Sequence, residues 1–219
     1  MYKRHLFIVC STLGSASLLF SIFVWEPHSI VGKNSDSHQF EQQNLWQILG
    51  SRRVLVPVFV MLMVGLTFGT TVTFLPLYIQ ENSISLNAGL FYTVRGITNF
   101  IIRILTGRAS DKFGRGVFIN SGLGFCLLGM LTLWTANSSN MIILAAIFGG
   151  ASGGLILPMM VTLMTDRCPP DQRGKFFSLC IGGFDFGIAR AGPTFGFIAE
   201  LLGYRSMFAV DASLACIAI

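Results

Sequence analysis

Charge is scarce in this chain of 219 residues, because only 11% of them are Asp, Glu, Lys or Arg. Soluble domains carry about 25% charged residues. Hydrophobic residues make up 53% of the chain and aromatic residues 12%. The composition therefore excludes an ordinary soluble domain and indicates a protein whose surface lies in lipid.

The chain also lacks the residue patterns of enzymes and metalloproteins. It contains no paired nucleophile and base, no cluster of metal ligands and no glycine loop typical of phosphate binding. We therefore predict no enzymatic activity, no metal and no cofactor. The net charge of +5 resides mainly in short loops, so it does not indicate nucleic-acid binding. Five cysteines without paired spacing are predicted to be packing residues, namely Cys10, Cys126, Cys168, Cys180 and Cys216.

Long apolar runs are what the sequence does contain. About 20 apolar residues cross the hydrocarbon core of a bilayer, and backbone groups within lipid must bond internally, as they do in helices. A polar hexad at 135–140 divides the longest run into two. We predict an all-α polytopic membrane protein with six full crossings and a truncated seventh. They are Leu6–Trp25, Val54–Ile79, Leu86–Thr106, the two halves of Val117–Thr165, Phe176–Ala199 and the short Arg205–Ile219.

Lysine and arginine are unevenly divided between the two ends of these predicted helices. One side would receive the segments 26–53, 107–116 and 166–175, whereas the other would receive three basic residues, two of them at the amino terminus. Basic loops stay in the cytoplasm, so we predict a protein of the plasma (inner) membrane with the richer side inside. Its basic residues are Lys33, Arg52, Arg53, Arg108, Lys112, Arg115, Arg167, Arg173 and Lys175.

The polar segment 26–53 divides the chain into parts. We predict a cytoplasmic linker there, after a single transmembrane helix at 1–25 and before a helix bundle at 54–219. His28 and His38 lie in the linker without metal-ligand spacing, which favours a solvated loop.

Residues 107–116 form a charged segment between two apolar stretches. We predict a short structured loop here, with glycines where the chain turns. Its pattern is Gly107-x-x-x-Asp111-Lys112-x-Gly114-Arg115. This pattern resembles the signature loop of the major facilitator superfamily, in the copy between the eighth and ninth of twelve helices. The resemblance implies a gating role, in which a charge latch is made in one transporter conformation and broken in the other. A topology anchor without a switching role remains the alternative.

The resemblance extends over almost the whole chain. It implies a six-helix bundle of the superfamily type, formed by helices 7 to 12 and preceded by an equivalent of helix 6. It also implies a missing amino-terminal half as the partner, with membrane lipids and a small-molecule substrate as the other partners. Gly192-Pro193-x-x-Gly196 is similar to the end of a glycine-proline motif found in antiporters of the superfamily, which implies efflux. We also expect Gly192, Pro193 and Gly196 to be helix-packing residues.

Three charges stand out inside predicted crossings, where a charge costs about 2.5 to 3.5 kcal/mol on insertion scales and usually marks a pathway or a pair. They are Arg95, Asp185 and Arg190. Asp185 and Arg190 are about 140° apart around a helix, so they should not pair with each other. An Arg95–Asp185 bridge would leave Arg190 to face the cavity. Asp185 is our candidate for proton coupling, with a permanently ionised structural pair as the alternative.

Small residues gather at Gly149, Gly150, Gly153 and Gly154, four apart twice on one predicted helix. Such spacing permits close contact between helices, although it could also leave room for substrate. Taken together, we expect a secondary transporter of a small solute that works by alternating access, with proton-coupled efflux as its mode. The alternative is a half-transporter that does not transport alone and acts as a membrane assembly partner.

Overall fold

The computed structural model describes residues 12, 14, 15, 52–167 and 173–218, without the side chains of 52, 53, 108, 111, 113 and 167. The chain divides into two compact units, 1–42 and 43–219. Almost all of the predicted helix at 1–25 and of the predicted linker at 26–53 lies outside the described residues. Cys10, Cys168, His28, His38 and the side chain of Asp111 lie outside them as well.

Five helices and no strands make up residues 52–167 and 173–218, which confirms the all-α prediction. They are α1 (Arg52–Glu81), α2 (Ala88–Phe113), α3 (Arg115–Thr135), α4 (Ser139–Arg167) and α5 (Arg173–Ile217). Each predicted crossing within this part corresponds to one of these helices or to part of one, although α2 begins at Ala88 and not at Leu86. The predicted hairpin at 135–140 contains the connection between α3 and α4, which is 136–138. Three helical segments are long and apolar enough to cross a membrane: Val54–Glu81, Arg115–Thr135 and Ser139–Asp166.

The predicted loop at 107–116 is wrong in extent. Helix α2 continues to Phe113, and α3 begins at Arg115. Only Gly114 leaves the helical conformation, with φ 84° and ψ 140°, a region that favours glycine. Gly107 lies within α2, and a Cβ at this position would meet open space, so it neither turns the chain nor permits a close approach.

The connection between the last two predicted crossings is also a single residue. Helix α5 contains a break at Gly203, with φ 78° and ψ 161°. This residue separates a first arm, 173–202, from a second arm, 204–217. Since glycine adopts this conformation at little steric cost, one residue suffices to connect the predicted crossings Phe176–Ala199 and Arg205–Ile219.

The helices pack with α1 against α5, and with α4 against both α2 and α3. Two apolar clusters form the core. The outer cluster includes Leu75, Tyr78, Phe195 and Phe208, beside the turns at 82–87 and 136–138. The inner cluster includes Met61, Ile156, Met159 and Met164, beside the Gly114 turn.

Polar contacts fix the outer turn between α3 and α4. The Tyr78 hydroxyl donates to the carbonyl oxygen of Ala136 at 2.8 Å, and the Arg205 guanidinium donates to the same oxygen at 3.1 Å. Arg205 also donates to the side-chain oxygen of Asn137. The single basic residue of the outer turns therefore caps a helix end, whose carbonyls lack helical partners.

Candidate functional site

The inner turn at Gly114 carries the residues that resemble the superfamily signature. Lys112 is exposed in the last turn of α2, whereas Arg115 is half-buried at the start of α3. The Arg115 guanidinium forms an ion pair with Asp166 near the end of α4 and donates to the carbonyl oxygen of Thr162. The start of α3 is thus in contact with the end of α4. Sequence analysis did not single out Asp166.

This ion pair gives a first prediction, for the double-mutant cycle of Arg115→Ala and Asp166→Ala. The Asp166 side chain is 56% exposed, and pairs exposed to solvent contribute about 0.2–1 kcal/mol, so we expect a coupling energy below about 1 kcal/mol. Arg115→Ala should be the more destabilising single change, because it also removes the donor to Thr162. Thermal unfolding of the purified chain in detergent measures both effects. A coupling energy of several kcal/mol would contradict the prediction.

Arg95 lies on α2 with its guanidinium carbon 4.7 Å from the centroid of the Phe68 ring on α1. It also lies against Gly149 of α4, where a Cβ would be 3.5 Å from its Nε atom. Its guanidinium lies near the Cys126 thiol of α3. The structure does not bring Arg95 and Asp185 together, and no ion pair joins these two described side chains.

The other glycines of this run lie against α2. A Cβ on Gly150 would be 2.5 Å from the carbonyl oxygen of Arg95, and one on Gly154 would be 2.8 Å from that of Asn99. A Cβ on Gly153 would be 2.7 Å from the Asn99 side-chain nitrogen. The run therefore lies where two backbones approach each other, as small residues allow in membrane helices.

Gly192 and Gly196 in the first arm of α5 differ from that run. A Cβ on Gly192 would meet open space, one on Gly196 would be 3.7 Å from the Phe74 ring, and Pro193 is exposed within the helix. The close contact between α1 and α5 is instead made by four other glycines. We did not predict them, because the chain contains 24 glycines and the spacing of these four does not stand out. They are Gly65, Gly69, Gly183 and Gly187.

Asp185 and Arg190 are both exposed on the first arm of α5. The Arg190 guanidinium carbon is 6.0 Å from the centroid of the Phe186 ring, and no ion pair joins the two charges, as their angular separation predicts. Large apolar side chains accompany them on the surface of this arm, including Phe186 and Phe197, which are 57% and 65% exposed. The arm therefore presents charges and aromatic rings together on surface that the described bundle leaves uncovered.

Asp211, in the second arm of α5, is the buried charge that sequence analysis missed as a site residue. Its side chain is 0% exposed, and one carboxyl oxygen accepts a hydrogen bond from the Thr67 hydroxyl at 2.9 Å. The only sequence feature that points to it is an aspartate in an apolar stretch. Asp185 has the same feature and is exposed.

A family of known proteins matches almost the whole chain. The sequence model of the Major Facilitator Superfamily matches residues 3–136 and, in a second overlapping match, residues 85–219. The chain belongs to the major facilitator superfamily. Each match covers more than half of the chain, and together they include every helix described above.

Two relatives within the superfamily are named for drug resistance. Multidrug resistance protein 3 of Bacillus subtilis (strain 168) is 30% identical over 115 residues, which are 52% of this chain and 22% of that protein. Quinolone resistance protein NorA of Staphylococcus aureus (strain Mu50 / ATCC 700699) is 23% identical over 169 residues, which are 77% of this chain and 43% of NorA. The chain thus spans less than half the length of these curated relatives.

Proposed function

We propose that this chain is the carboxy-terminal part of a secondary transporter that exports small compounds, including drug-like ones, in exchange for protons. The observation that carries the proposal is the double match to the superfamily, together with relatives named for multidrug and quinolone resistance. Alternating access places the substrate between two bundles, and an amino-terminal half would supply the second. The basic inner turns are consistent with the plasma membrane.

The exposed faces of the bundle support a partner half. On α2, Phe100, Ile104 and Leu105 are 62% to 66% exposed, and the first arm of α5 carries Asp185 and Arg190 beside exposed phenylalanines. A charge on a surface in contact with lipid alone is expensive, so charged residues in transmembrane helices usually face a bundle interior or an aqueous cavity. We infer that the first arm of α5 lines the cavity, with Arg190 attracting anionic groups.

The signature residues complete the proposed mechanism. Gly107, Asp111, Lys112, Gly114 and Arg115 would form the inner gate, with the Arg115–Asp166 pair as a contact that one conformation keeps. The second candidate function is a half-transporter that is inactive unless another half joins it, because alternating access requires two bundles and the described helices belong to one. Both candidates place the same residues at the cavity and at the gate.

An export assay separates the two candidates. Inside-out membrane vesicles would be prepared from cells that express either the chain alone or the longest reading frame that contains it. We expect accumulation of a quinolone driven by a pH gradient, and collapsed by a protonophore, in at least one preparation. Accumulation with the longer frame supports the first candidate, whereas accumulation in neither preparation contradicts it.

Asp185→Asn is the mutation that tests proton coupling in the same vesicles. The amide cannot exchange a proton, so we expect gradient-driven accumulation to fall to the level of vesicles without the protein, while quinolone binding is retained. Glu200→Gln is the matched control, because Glu200 is another exposed carboxyl of the same arm. Unchanged pH dependence in Asp185→Asn would exclude this residue from coupling.

A further inference from the structure

Asp211 is fully buried within the bundle. It is not one of the residues that we propose to line the cavity. Its carboxyl group has one hydrogen bond, from the Thr67 hydroxyl of α1 to Oδ1 at 2.9 Å. The second oxygen, Oδ2, is buried and has no hydrogen-bond partner among the described residues. A carboxylate in this state would leave a buried charge with a single neutral partner, which is among the costliest arrangements in a protein interior.

The hydrogen bonds of Thr67 indicate where a proton fits. Its hydroxyl oxygen is 2.9 Å from Asp211 Oδ1 and 3.2 Å from the carbonyl oxygen of Met63. A hydroxyl has only one proton to donate, so it cannot serve two acceptors at once. If Asp211 carries a proton on Oδ1, it donates to the Thr67 oxygen, and Thr67 donates in turn to Met63. Protonation therefore satisfies both short contacts, whereas ionisation satisfies one.

The described groups around Asp211 supply no compensating charge. From α3, the Cys126 thiol interacts with the carboxyl group and also lies beside Thr67 and Ser152 of α4. Arg95 of α2 reaches Cys126 and the Phe68 ring, and no ion pair between Arg95 and Asp211 exists in the described part of the chain. Among the described residues, α1, α3 and α4 thus contribute hydroxyl and thiol groups near Asp211, and no cation is paired with it.

We propose that Asp211 is a proton-binding site inside the bundle, separate from the exposed Asp185. The proton is held while the second arm of α5 is packed against α1 and α3, as it is here. When these helices separate and water enters, the O–H bond of Asp211 breaks, the proton passes to water, and the carboxylate is hydrated. When the bundle closes, the Asp211 carboxylate takes up a proton from water again. This site rests on the proposed proton-coupled export. The protonation of Asp211 can nevertheless be measured without a transport assay.

Infrared spectroscopy of the purified chain in lipid nanodiscs tests the site directly. An exposed aspartate ionises near pH 4, so a neutral carboxyl band that persists at about neutral pH reports a buried, protonated group. We expect this band in the wild type and in Asp185→Asn, and we expect it to be missing in Asp211→Asn. A wild type without the band, or an Asp211→Asn variant that keeps it, overturns the proposal.

A second variant keeps the test valid if Asp211→Asn fails to fold. Thr67→Val removes the proposed acceptor of the Asp211 proton, so the carboxyl band should shift in frequency, and Thr67→Ser should restore it. A band at the same frequency in Thr67→Val would refute the Asp211–Thr67 contact. A chain that shows the band but exports no quinolone would overturn only the proposed function, whereas export without the band would overturn only this site.

Discussion

Gly150→Ala should destabilise the folded bundle by about 1–3 kcal/mol, the range expected when a methyl group is forced into a packed interface. The new Cβ would lie 2.5 Å from the Arg95 carbonyl oxygen, 2.8 Å from the Thr98 Cβ atom and 3.2 Å from the Asn99 nitrogen. Two of these atoms belong to the backbone of α2, which cannot move aside without displacing the helix. The thermal unfolding midpoint of the purified chain in detergent measures the loss.

Two further glycines provide graded controls. A Cβ on Gly153 would touch the end of the Asn99 side chain, which can rotate away, so Gly153→Ala should cost less. A Cβ on Gly182 would meet open space, and alanine is the better helix former, so Gly182→Ala should be neutral or slightly stabilising. Equal stability of all three variants would contradict packing and would favour the other interpretation, in which the glycine run leaves room for substrate.

The helices themselves were predictable because each depends on the local sequence. A charge-free run of the length of a bilayer core has few alternatives to a helix, and the polar residues between Thr135 and Asn140 mark a turn wherever the run is placed. The structure confirms the positions of α1 to α4 and of the first arm of α5. No tertiary information was needed for any of these assignments.

The turn at Gly114 shows where local reasoning failed. The charged residues from Arg108 to Arg115 were interpreted as a loop, because charge is rare in the rest of the chain. In the structure α2 extends to Phe113, beyond the predicted end of its apolar crossing at Thr106. Charge marks the end of the lipid-exposed stretch, whereas the end of the helix is set by the backbone, here by one glycine with a positive φ.

The candidate site depended on information that the sequence does not contain. Asp185 and Asp211 each lie in an apolar helix and look equivalent in the sequence, yet one is exposed and the other is 0% exposed. Which side of a helix is buried depends on its rotation against its neighbours, and nearly all-apolar helices show little periodicity from which to predict it. The contact partners Asp166 and Thr67 were missed for the same reason.

Arg95→Met should abolish the proposed quinolone export while leaving the bundle folded. The only favourable contact of the guanidinium with an aromatic ring is at Phe68, within the described residues, and such contacts contribute about 0.5–2 kcal/mol. Methionine fills a similar volume without charge, so the free energy of unfolding should fall by no more than about 2 kcal/mol. A charge held inside a membrane bundle without a paired carboxylate is expensive, and we expect it to act on substrate or on the proton pathway.

Two variants separate the charge of Arg95 from its geometry. Arg95→Lys keeps the charge but loses the planar stacking on Phe68, so partial export is expected, and Phe68→Leu should have a similar partial effect. Arg103→Met is the matched control, since Arg103 is exposed towards the inner end of the same helix and should be dispensable for export. If Arg95→Met exports at the wild-type rate, the residue only supports packing. If it unfolds the chain, the guanidinium contributes more to stability than its contacts with Phe68 and Gly149 explain.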